Sequence, residues 1–150
     1  MRPSHLRQTI IPDMNIKQKI QDILLEQFSG LQAIYLFGSL SVHTEHARSD
    51  VDIAVLLTPE QSRRTSVESF HSVQIRLEKS LNQDVDLINL RQVNTVLQKE
   101  VVITGERIYC SEEEAAEEFE MLVFSAYQKL SQERAEIVQN IVQSGRILAS

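Results

Sequence analysis

One stretch of the chain holds the residue types that could do chemistry together. Gly38-Ser39 closes an apolar run, ten residues follow, and Asp50-Val51-Asp52 opens a second apolar run. Successive side chains of a strand point to opposite faces, so Asp50 and Asp52 point the same way. Two negative charges at roughly 4 Å repel by about 4 kcal/mol at an effective dielectric near 20. Such a pair holds a hard cation or shares a proton, and magnesium is the expected cation. Gly38 supplies the other half of the site. After the strand Ile34-Tyr35-Leu36-Phe37, a residue without Cβ lets the chain turn sharply and lets a phosphate approach main-chain N–H groups. The Ser39 hydroxyl can donate to a phosphate oxygen, and Arg48, in the following loop, is the best candidate for a charge clamp on a triphosphate. His43 and His46 lie in the same loop. A cation pair beside a phosphate cradle implies a nucleoside triphosphate.

The elements that must position these residues can be read from periodicity. Ile16, Ile20, Ile23, Leu24 and Phe28 form a helical stripe that Ser29-Gly30 stops. Residues 33–37 form a short, continuous apolar run, which suits a strand buried on both faces. From Val51 to Leu57 the odd-numbered residues face away from the acids and into the core. Thr58-Pro59 ends that strand, and Gln61 to Arg64 reads as a polar connection. Val67, Phe70, Gln74, Leu77 and Leu81 predict a helix over about 66–80. Asp84 to Ile88 is the next strand, with Asp84 and Asp86 on one face. Residues 91–104 read as a helix stopped by Gly105, and 107–110 as a short edge strand. This order predicts an α/β (α+β) domain, a small mixed sheet with helices packed on one side of it. Ser111 to Glu114 reads as a capping box that opens a last helix running to the end of the chain. About 36 helical residues would reach ~54 Å, against roughly 38 Å for the width of a domain this size. Part of that helix must bend back or project, and its free apolar stripe would meet a partner subunit or a copy of itself. The expected division is an arm over 1–15, the sheet domain over 16–110 and a helical segment over 111–150.

Gly-Ser, ten residues, then Asp-x-Asp resembles the signature of the DNA polymerase beta type nucleotidyltransferases, and in particular the small MNT antitoxins that accompany HEPN-type toxins. The resemblance covers residues from about Ile16 to Tyr109. It implies the nucleotidyltransferase fold and a third carboxylate between two apolar residues on a strand beside the Asp-x-Asp strand. Asp86, between Val85 and Leu87, fits that place, and Asp84 is the alternative. Asp50, Asp52 and Asp86 would then be both the catalytic and the metal-binding residues, holding two Mg²⁺ ions, while Gly38, Ser39 and Arg48 bind ATP. The family usually has glycine where this chain has His43. The activity implied is transfer of AMP from ATP to a tyrosine hydroxyl of a cognate HEPN ribonuclease toxin, in a hetero-oligomer with it. Two alternatives stay open: an antitoxin that neutralises by binding alone, and a small-molecule transferase of the aminoglycoside type.

Composition narrows the setting. One hundred and fifty residues suit a single core that needs no staples. The lone Cys110 cannot form an internal disulfide, and neither a signal peptide nor an apolar run of about 20 residues is present, so a cytoplasmic protein is expected. A formal charge of −6 argues against direct nucleic-acid binding, which needs a concentrated basic patch. Acid is crowded at Glu112, Glu113, Glu114, Glu117, Glu118 and Glu120, a patch that a basic protein partner could use.

Overall fold

The structure, a computed structural model, describes residues 12–38 and 50–149. Among these residues nine elements follow one another: α1 (Pro12–Gln27), β1 (Leu31–Phe37), β2 (Val51–Leu57), α2 (Pro59–Arg64), α3 (Val67–Leu81), β3 (Val85–Asn89), α4 (Thr95–Thr104), β4 (Glu106–Cys110) and α5 (Glu113–Ala149). The four strands make one sheet in the order β3-β2-β1-β4. β1 runs antiparallel to both β2 and β4, whereas β2 and β3 are parallel. A parallel pair needs a crossover, and α2 with α3 supplies it.

β1 is buried at every position, which accounts for its unbroken apolar sequence. Its alternate residues feed two different cores. On one face, Ile34, Leu36, Val51, Ile53, Val55, Leu57, Val85 and Leu87 pack against Ile20 and Leu24 of α1 and Phe70, Val73 and Leu77 of α3. On the other, Ala33, Tyr35, Phe37, Ala54 and Leu56 pack against Val101 of α4 and Ala116, Phe119 and Val123 of α5. Helices therefore cover both faces, not the one side expected from the element order. Element order alone does not say which face a helix takes, and the last two helices take the face that carries Ala54 and Leu56.

Three local expectations are corrected by side-chain chemistry. Pro12 to Asn15 belong to α1 and not to an arm, since proline suits a first helical turn. Residues 59–64 are a helical turn and not a plain connection: Thr58 caps it by accepting from the Gln61 N–H at 3.2 Å, and Pro59 sits at its start. Ser111 does not close a capping box. It stands one position too early for a helix that begins at Glu113, and its hydroxyl donates to the Leu31 carbonyl at 2.9 Å.

α5 is 37 residues long, about 55 Å at 1.5 Å per residue. A partly buried polar anchor fixes its first half: the Tyr35 hydroxyl donates to Glu120 at 2.6 Å, and Arg107 of β4 donates to the same carboxylate at 3.2 Å. Lys99 of α4 lies 4.6 Å from the Tyr127 ring centroid. Beyond Leu130 the helix runs on, with residues 131–144 exposed and Ile137, Val138, Ile141 and Val142 each more than half accessible. Among the described residues no helix is long and apolar enough to cross a membrane.

Candidate active site

The C-terminal end of β1 meets the N-terminal ends of β2 and β3. Phe37 stands opposite Asp52 in the antiparallel ladder, and Asp52 stands level with Asp86 in the parallel one. Gly38 leaves β1 beside them with φ +74°. A Cβ on Gly38 would lie 2.1 Å from Asp52 Oδ2 and 3.1 Å from its Cγ. Glycine is thus favoured here twice, once by the left-handed backbone and once by the carboxylate against which the turn closes and which a Cβ would have to displace.

Asp52 is the least exposed of these acids; Asp50, Asp84 and Asp86 are open to solvent. It shares its face of β2 with Ala54 and Leu56, at the mouth of the second core. Its carboxyl is raised from 3.8 to about 6, first by desolvation, then by the charges of Asp86 and Asp50. Burial and like charge both disfavour the ionised form. The structure therefore brings Gly38, Asp50, Asp52 and Asp86 to one end of the sheet. Asp84 has a different place: its main-chain carbonyl accepts the Val51 N–H at 2.9 Å, tying the start of β2 to the start of β3. Ser39 and Arg48, with His43 and His46, fall outside the described residues.

An all-oxygen set of carboxylates fits a hard divalent cation, which takes oxygen ligands. The turn at Gly38 brings the main chain so close to these acids that a Cβ there would collide with the Asp52 carboxylate. Among the described residues, no three His, Cys, Asp or Glu side chains are drawn together tightly enough to form a ready-made cage.

Two side chains to which the motif does not point reach this end of the sheet. Glu78 and Gln74, one turn apart on α3, accept the main-chain N–H groups of Val85 and Leu87 at 3.0 and 3.1 Å. The available signal was Gln74 itself, a polar residue in an otherwise apolar helical stripe.

The polymerase beta nucleotidyltransferase family profile matches residues 18–114. The protein adenylyltransferase MntA of Shewanella oneidensis is 36% identical over 126 residues, which cover 84% of this chain and 87% of that protein. Among solved structures, a toxin-antitoxin with AMP-PNP superposes with a TM-score of 0.73 at 35% identity, covering 84% of this chain and 98% of that one. The complex of a tri-AMPylated Shewanella oneidensis HEPN toxin with its MNT antitoxin gives a TM-score of 0.70 at 32% identity, covering 86% of this chain and 98% of that one. The sheet, the acids at its end and these likenesses agree, and this chain belongs to the polymerase beta nucleotidyltransferase family.

Proposed function

We propose that the chain is the antitoxin of a HEPN/MNT toxin-antitoxin module, a protein adenylyltransferase that moves AMP from ATP to a tyrosine hydroxyl of its cognate HEPN toxin and so inactivates it. The observation that carries the reading is the placement of Asp50, Asp52 and Asp86 at one end of the sheet beside the left-handed Gly38 turn, whose main chain closes against the Asp52 carboxylate. The likeness to MntA and to complexes containing AMP-PNP and an AMPylated toxin supports the choice of nucleotide and acceptor.

In this reading Asp50, Asp52 and Asp86 hold the cations and Gly38, Ser39 and Arg48 receive the triphosphate. Bound Mg²⁺ would neutralise charge on the triphosphate and steady the oxygens of an in-line displacement. Gly38 allows the left-handed turn that offers main-chain N–H groups to phosphate, the Ser39 hydroxyl donates to it, and Arg48 offsets its charge. Asp86, on the solvent side of the site, takes the proton of the acceptor tyrosine as its oxygen bonds to the α-phosphorus. The bond from that phosphorus to the oxygen bridging to the β-phosphate breaks, and pyrophosphate leaves. Positioning and charge neutralisation are the protein's main contributions.

Residues 16–110 carry the transfer, and 111–150 supply the helical segment whose distal apolar stripe contributes to a hetero-oligomer with the toxin. The cytoplasm is the expected compartment. The test is incubation with ATP, Mg²⁺ and the cognate HEPN-family protein, followed by intact mass spectrometry. An added AMP mass on the partner, absent with an Asp50→Asn, Asp52→Asn variant, is the expected outcome. A stable complex without added mass from either version would overturn transfer in favour of neutralisation by binding.

A further inference from the structure

Among the described residues β3 is an edge strand, paired with β2 alone. An edge strand presents a row of main-chain groups with no strand to receive them. Here two of its N–H groups are received by α3: Glu78 Oε2 accepts from Val85 at 3.0 Å and Gln74 Oε1 accepts from Leu87 at 3.1 Å. These two residues flank Asp86. The Asp84–Val85 peptide is gripped from both sides, since its carbonyl also accepts the Val51 N–H at 2.9 Å. α3 is itself well anchored, through Phe70, Val73 and Leu77 in the core and through Asn82, which ends it in the left-handed conformation.

Holding the strand on either side of one residue fixes the direction of that residue's Cα–Cβ bond. We infer that Gln74 and Glu78 are positioning residues for Asp86: by accepting the N–H groups on each side of it, they keep the edge strand from swinging and aim the third carboxylate at Asp50 and Asp52. The inference rests on the reading of Asp86 as the third acid of an adenylyltransferase. It differs from simple edge protection in what it predicts. A misplacement of about 1 Å costs on the order of 10²-fold in rate, whereas a cap that only blocks strand addition leaves the rate of each folded molecule unchanged.

The test uses the full chain with four single substitutions: Gln74→Met and Glu78→Leu, which remove the acceptor; Glu78→Gln, which retains it; and Ser72→Ala on the exposed face of α3 as a control. AMP transfer to the partner is followed for kcat and for the KM of ATP, and Mn²⁺ binding without nucleotide is followed by electron paramagnetic resonance. The expected result is a kcat lower by roughly 10- to 100-fold in Gln74→Met and Glu78→Leu with the KM of ATP within about threefold, weaker Mn²⁺ binding in both, and recovery in Glu78→Gln. An unchanged kcat in the folded variants overturns the inference, as does a Glu78→Gln defect equal to that of Glu78→Leu. If Gln74→Met does not fold, the Glu78 pair decides. If the unsubstituted protein transfers no AMP, the adenylyltransferase reading has failed, and Mn²⁺ affinity alone judges the positioning: unchanged affinity in the acceptor-removing variants overturns it, and weakened affinity upholds it.

Discussion

Replacing Asp52 by Asn should stabilise the cation-free protein, and only above the pH at which Asp52 ionises. Its carboxyl is raised from 3.8 to about 6, by desolvation first and then by Asp86 and Asp50. The folded protein thus holds this proton more tightly than the unfolded chain does. Below about pH 4 both states are protonated and no penalty exists. As pH climbs from about 4 to about 6 the unfolded chain ionises first, so stability falls, and above about 6 the whole cost stands. At 1.36 kcal/mol per decade of proton affinity, the full displacement would be about 3 kcal/mol. Asp52 is partly open to water, and screening there reduces the cost to about 1 kcal/mol. Asn has nearly the same shape and cannot ionise. Urea unfolding in low salt with a chelator should therefore show equal stabilities near pH 4 and the variant ahead by about 1 kcal/mol at pH 7.5, a midpoint shift of roughly 0.5 M. Added Mg²⁺ should narrow the gap, because a cation that binds the folded carboxylates stabilises the unsubstituted protein by mass action. A gap that does not change with pH, or a variant that loses ground as pH rises, would refute the electrostatic account of the site.

Other perturbations test neighbouring parts of the structure. Gly38→Ala forces a Cβ to within 2.1 Å of Asp52 Oδ2 at φ +74°, so stability should fall by about 1–2 kcal/mol from the backbone alone and transfer should fall further. A double-mutant cycle with Asp52→Ala, which removes the collision, should give a coupling of at least about 0.5 kcal/mol, and additivity would count against the contact. Tyr35→Phe removes a buried hydroxyl whose proton is held by desolvation and by Glu120. Urea denaturation should register a loss of about 1.5–3 kcal/mol, and a loss below about 0.5 would mean that Arg107 alone anchors Glu120. Deleting residues 131–150 removes the part of α5 whose described side chains are largely exposed; size-exclusion chromatography should show loss of the toxin complex from a domain that still unfolds cooperatively, and an intact complex would sink the proposed role of the stripe.

Much of the site was legible because strand geometry has period two. The Asp-x-Asp spacing and the apolar residues between and after it place Asp50 and Asp52 on one face without any knowledge of neighbours, and the glycine after an apolar run marks a turn for a reason local to the backbone. The same locality explains why α1, α3 and β1 could be read, and why the Thr58-Pro59 helix start was there to be read as well. What a chain cannot state locally is who lies beside whom. That Asp86 stands level with Asp52 depends on the parallel register of two strands some thirty residues apart. That Gly38 has no room for a Cβ depends on the rotamer of a residue on the next strand. Ser111 could not be assigned from its own segment, because the competing acceptor is a carbonyl of β1. Gln74 and Glu78 become meaningful only once α3 is laid along the edge of β3. Residue types and spacing therefore determined which groups could do the chemistry, through backbone periodicity. The tertiary structure alone decided their distances, their burial and hence the elevated proton affinity of Asp52, because those follow from packing between segments far apart in the chain.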